Sequence, residues 1–268
     1  MTAENPPILL SLYALREKPP GFEDFRLIEW TPATSGGHPS WFSEASQMRD
    51  KNGSLWHALR RRFGIPEDPP MFVVVGFSAG SNSGLREVLR SSLDRSRIHA
   101  ALSLDGLHAS TKSWIKADPA KDPRERYFDW GGQLGPFLDA ATEMGSDPAR
   151  VFVATASDVA RPGKDLTKTV EAWRDIYRIL QIEGVPTLAG AGDVPPTLAA
   201  SDRGAPVVLE PGLAYRVGER STRPSPFLPF KGAQARDHVQ QAQAVGPWAL
   251  RRFVEPLLPL YLSGRAVS

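Results

Sequence analysis

Short apolar blocks alternate along the chain with longer stretches whose apolar residues recur at helical spacing. Ile8 to Leu12, between Pro6-Pro7 and the turn at Pro19-Pro20-Gly21, reads as a first strand, and Phe25 to Trp30 reads as a second. Met71 to Val75 is apolar and rich in valine, which suits a strand buried on both faces, as in a parallel sheet. Ile98 to His108 predicts another buried strand that ends at Asp105-Gly106, and Arg150 to Ala156 predicts the next, followed by Ser157-Asp158. Between these blocks the spacing predicts helices over 54–63, after Gly80, over 134–144 and over 164–183. In the last of these Leu166, Val170, Trp173, Ile176, Tyr177 and Leu180 form one face.

Elsewhere the pattern is less regular. Gly184 to Leu188 resembles a final short strand, and the segments PVVLE and LAYRV on either side of Pro211-Gly212 suggest a small hairpin. Residues 109–136 are polar and loop-like, with Trp114, Tyr127, Phe128 and Trp130 either lining a pocket or anchoring the loop to the core. The region 190–237 has weak periodicity, so both stretches are candidate lids or insertions on one domain spanning 1–268. From His238 onwards the chain reads as helical.

The chemistry concentrates at Gly76-Phe77-Ser78-Ala79-Gly80, which joins the valine-rich strand to a helix carrying Leu85, Val88 and Leu89. A serine held on a sharp strand-to-helix turn needs small flanking residues, because side chains there would meet neighbouring backbone. The two glycines meet that need. The turn would lift the Ser78 hydroxyl above the sheet and aim the Ala79 N–H at the place where an oxyanion forms.

On this strand, motif and helix the chain resembles the α/β-hydrolase superfamily. The resemblance implies a three-layer α/β sandwich with a mostly parallel sheet and helices on both faces. The short N-terminus has no room for two further leading strands, so a reduced, cutinase-like sheet is expected. It also implies a nucleophile, an acid and a histidine in that chain order. His238 follows the strands and opens the final helical stretch, which makes it the expected base; His38 and His57 precede the motif, and His99 and His108 read as strand or pocket residues. The acid has two candidates. Asp158 follows the strand two after the serine strand, as in most of the family, and Asp105 lies one strand earlier, as in some members; the Asp-Gly-Leu-His run at Asp105 leans slightly toward it. Asp165 and Asp237 read as helix-cap or surface carboxylates. The second oxyanion donor would come from the loop after the first strand, from Leu12, Tyr13 or Ala14, although the His-Gly motif common in that loop is missing.

Composition narrows the alternatives. With 41% hydrophobic and 23% charged residues the chain reads as an ordinary globular protein, and a net charge of +2 with dispersed Lys and Arg argues against nucleic-acid binding. The absence of cysteine rules out disulfides and thiolate chemistry and suits cytosol and bacterial export alike. No signal-peptide pattern opens the chain, which points to the cytoplasm, and no apolar run is long enough to span a membrane. Metal-ligand motifs and the lysine of a phosphate loop are also missing, so no cofactor is expected. What the resemblance implies is a serine hydrolase acting on a carboxylic ester, whether small molecule, lipid or polymer, through Ser78, His238 and Asp105 or Asp158, with Ala79 and a residue of the first loop, such as Tyr13, as oxyanion donors. The alternative is a catalytically silent version of the fold used for binding or structure.

Overall fold

The structure is a computed structural model that describes residues 5–32, 34–35, 38–112, 118, 121–157, 166–182, 187–189, 197–198, 207–209, 215–217, 227–231 and 235–262. Six strands pair in parallel: β1 (Ile8–Leu12), β2 (Arg26–Glu29), β3 (Phe72–Phe77), β4 (Ala100–Leu104), β5 (Val151–Ser157) and β6 (Phe227–Lys231). Their order is β2-β1-β3-β4-β5-β6. The chain first steps from β1 outward to β2, then crosses back to place β3 on the other side of β1. The order thus reverses between β1 and β3, the point at which sheets of this kind commonly place a ligand site, outside the carboxyl ends of the strands.

Helices cover both faces, so the central strands are buried throughout: β1, β4 and β5 have no exposed residue. Side chains alternate between two cores. Ile8, Leu10, Leu12, Phe72, Val74, Ala101, Phe152 and Ala154 face one layer, which includes helices Trp41–Met48, Trp56–Phe63, Gly135–Gly145 and Thr169–Ile182. Leu9, Val73, Val75, Leu102, Val151 and Val153 face the other, closed by Val245, Ala249, Leu250, Val254 and Leu257 of the helical segment from Ala235 to Leu262. This is the three-layer arrangement that the alternation of apolar blocks and amphipathic stretches implied.

Trp173 ties the first layer together: its ring lies 5.5 Å from Phe137 and 5.6 Å from Phe152. Its helix begins at Thr169, later than the sequence spacing suggests, because Thr167 is held by the loop beside it. The Thr167 N–H donates to the Ala109 carbonyl, and its hydroxyl oxygen accepts from the Ala109 N–H. Among the loop aromatics Tyr127 is an anchor, buried with its hydroxyl on Asp175, while Phe128 is exposed. Trp114 lies outside the described residues.

Two sequence expectations are corrected beyond β5. Thr187–Ala189 is a strand, but it pairs antiparallel with Tyr215–Val217 rather than closing the parallel sheet. The closing strand is β6. Val207–Leu209 and Tyr215–Val217 do not pair as a hairpin; each runs antiparallel to β6, and Val207–Leu209 pairs further with Thr197–Leu198. Among the described residues no helix is long and apolar enough to cross a membrane.

Candidate functional site

Ser78 directly follows β3 at the carboxyl edge of the sheet, with a left-handed backbone (φ 52°). That conformation is unfavourable for a residue with a Cβ, at roughly 1–3 kcal/mol, so the surroundings must enforce it. They do so through backbone. The Ser78 N–H donates to the Leu104 carbonyl at 3.0 Å, and the Ser78 carbonyl accepts from Ser81 and Asn82 at 3.0 and 2.9 Å. The chain then enters a wide helical turn, Gly80–Leu85, which narrows into Arg86–Leu89. A Cβ on Gly76 would lie 2.8 Å from the Ser81 Cα, and one on Gly80 would overlap the Leu12 carbonyl, so both glycines of the motif are required by close approach.

Among the described residues, two more non-glycine residues have positive φ: Tyr13 (61°) after β1 and Asp105 (41°) after β4. All three strained residues follow adjacent strands of the sheet and lie at its carboxyl edge. Gly106 then passes so close to Ser78 that an added Cβ would sit 2.7 Å from both its Cα and its carbonyl carbon. Loop and turn are interlocked.

His238 arrives from helix Ala235–Gln240, with its ring against Phe77 at 4.7 Å between centroids. Its Nε2 lies 2.9 Å from Ser78 Oγ, and its Nδ1 lies 2.8 Å from Asp105 Oδ2. An ionised carboxylate can only accept, which assigns the proton to Nδ1 and leaves the Nε2 lone pair facing the serine hydroxyl. Asp105 is buried, at 1% exposure, and a buried carboxylate must be satisfied by donors. It has three. Besides His238, the Ser157 N–H donates to Oδ1 at 2.8 Å, and the Ser157 hydroxyl donates to Oδ2.

Of the residues singled out in the sequence, Ser78, His238 and Asp105 are therefore brought together, and Asp158 lies outside the described residues. Ala79 is exposed at the start of the helical turn, and Tyr13 is 40% exposed with its ring edge against Trp41 at 4.7 Å. The remaining histidines are not part of this hydrogen-bonded chain, although His108 lies close enough to interact electrostatically with Asp105 and His238. His38 belongs to a small ribbon of Thr34–Ser35 with His38–Pro39, and His57 is exposed. His99 accepts from the Phe72 N–H, and burial, aided by Arg150, pushes its pKa down to about 4. His108 meets the Thr167 carbonyl through Nδ1, and burial lowers its pKa as well. Sequence reasoning missed Ser157 and Gly106. Their importance comes from strand register and loop approach, which no local motif encodes.

Among the described residues no group of three or more His, Cys, Asp or Glu side chains is placed to hold a metal ion. Fold and site together define a three-layer α/β protein in which a hydroxyl, an imidazole and a carboxylate form one hydrogen-bonded chain at the carboxyl edge of the sheet. No family model, curated protein or solved structure matches the chain.

Proposed function

We propose that the protein is a serine hydrolase of the α/β-hydrolase type that cleaves a carboxylic ester through an acyl-enzyme. The observation that carries this reading is the continuous chain from Ser78 Oγ to His238 Nε2 and from His238 Nδ1 to Asp105 Oδ2, at 2.9 and 2.8 Å. Ser78 attacks the ester carbonyl while His238 Nε2 takes its proton; Asp105 holds the imidazole in the reactive tautomer and stabilises the imidazolium that forms. The same imidazolium then protonates the departing alkoxide. The N–H groups of Ala79, beyond β3, and Tyr13, beyond β1, serve as donors to the oxyanion of the tetrahedral intermediate. Water, deprotonated by His238, attacks the acyl-enzyme and regenerates Ser78.

Labelling of the native chain with a fluorophosphonate tests this reading, with the modified residue located by peptide mass spectrometry. Modification at Ser78, abolished in Ser78→Ala and strongly reduced in His238→Ala, is the expected result, followed by turnover of a panel of esters of varied acyl length. A folded native chain that is not labelled refutes it and leaves a binding role for the fold.

A further inference from the structure

The last residue of β5, Ser157, makes two hydrogen bonds to one carboxylate. Its N–H reaches Asp105 Oδ1 at 2.8 Å, and its hydroxyl reaches Asp105 Oδ2, the same oxygen that accepts from His238 Nδ1. Both residues are about 1% exposed, so these bonds form away from solvent, where a hydrogen bond to a charged group is strong and its loss is not made good by water. Ser157 comes to this point through strand register. Leu104 pairs with Thr155, which brings Asp105, one residue beyond Leu104, and Ser157, two residues beyond Thr155, to the same edge of the sheet.

Asp105 needs such a hold. Its backbone is left-handed (φ 41°), and its N–H bonds the Thr155 carbonyl at 3.1 Å, which leaves the side chain to be aimed from outside. One bond would leave the carboxylate free to turn about the remaining oxygen. Two donors from one residue, one to each oxygen, fix the plane of the carboxylate and hence the oxygen offered to His238.

We infer that Ser157 is a positioning residue: through its N–H and hydroxyl it clamps the Asp105 carboxylate in the orientation that holds His238 on Ser78. The inference rests on the function proposed above for its catalytic consequence, and on geometry alone for the clamp itself. The hydroxyl does no chemistry on substrate. It acts through Asp105, so removing it matters only while Asp105 is a carboxylate.

Two readouts on the full-length chain test this. The first is the rate of Ser78 phosphonylation in native protein, Ser157→Ala, Ser157→Thr, Asp105→Asn and the Ser157→Ala/Asp105→Asn double variant. Loss of a bond to a buried charge predicts a slowing of about 10-fold to 100-fold for Ser157→Ala. Ser157→Thr, which keeps the hydroxyl, restores most of the rate, and Ser157→Ala changes the Asp105→Asn rate by less than about 2-fold. The second is the downfield proton resonance of His238 Nδ1 bonded to Asp105, read by NMR, which needs no activity. It should weaken or move upfield in Ser157→Ala and persist in Ser157→Thr. An unchanged resonance in Ser157→Ala, or an equal loss of rate whether or not Asp105 is a carboxylate, overturns the inference. A native chain that resists the probe while its resonance still responds to Ser157→Ala refutes the proposed function and upholds the clamp.

Discussion

Replacing Gly106 with alanine adds a single methyl group, yet the structure makes it one of the most damaging changes near the site. The new Cβ would lie 2.7 Å from the Cα and carbonyl carbon of Ser78, and nearer still to its carbonyl oxygen. Carbon atoms in contact prefer about 3.5–4.0 Å, so the two segments must part by roughly 1 Å. Neither has an easy way to yield, because every atom struck is backbone. If the turn moves, Ser78 leaves His238; if the loop moves, Asp105 does, and the His108 N–H is drawn from the Asn82 side chain that it bonds at 3.1 Å. Overpacking of this kind costs about 1–3 kcal/mol, and a misplacement near 1 Å lowers the rate at a reacting centre by about 100-fold. The assay pairs urea unfolding with the rate of Ser78 phosphonylation, using Gly131→Ala as the control, since a Cβ at Gly131 meets nothing within 4 Å. Gly106→Ala should lose both stability and labelling, and Gly131→Ala should lose neither. A Gly106→Ala protein with native midpoint and native labelling rate would refute the argument that loop and turn are interlocked.

Two further outcomes are expected. His99 has its pKa pushed down to about 4 by burial, so the unfolded chain binds its proton first as pH falls. Its contribution to stability is present above the unfolded value near 6.5 and is lost as pH falls toward the folded value, by about 2–3 kcal/mol between pH 7.5 and 4.5. Urea titrations at both pH values should show His99→Gln, which keeps an acceptor for the Phe72 N–H, to be less acid-sensitive by that amount. Tyr127→Phe removes the hydroxyl donated to Asp175, a carboxylate only 7% exposed, and should destabilise the fold by about 1–3 kcal/mol in urea unfolding while leaving the phosphonylation rate of Ser78 near native.

The parts of the fold legible in the sequence are those with local causes. The apolar blocks at Ile8, Met71, Ile98 and Arg150 become β1, β3, β4 and β5, because a strand buried on both faces has no polar alternation to hide it. Gly76 and Gly80 marked the turn at Ser78 since the steric need for them is local too. β6 was hidden. Its sequence Phe-Leu-Pro-Phe-Lys carries Pro229, which argues against a strand inside a sheet, yet it pairs with β5 on one side and short antiparallel strands on the other. Chain order brought out His238 among five histidines, but only the faint lean of the Asp-Gly-Leu-His run separated Asp105 from Asp158, each just past a strand end. The pairing of β4 with β5 and the docking of helix Ala235–Gln240 bring Asp105 to His238, and both are long-range facts. Ser157 was invisible for the same reason, since its role exists only in the register that brings it beside Asp105.

The imidazole that meets Ser78 lies 160 positions further along the chain, on the helical segment that closes the second face of the sheet. A ribosome adding about 5–20 residues per second takes on the order of ten seconds or more to cover that distance. Through that interval the nascent chain already contains the serine turn but not its proton acceptor, so in the proposed reaction the hydroxyl stays inert. Reactivity would then appear abruptly, when the helix bearing His238 docks. Time-resolved labelling during refolding should show Ser78 becoming reactive in the same kinetic phase that buries Val245 and Leu250, and in no earlier one.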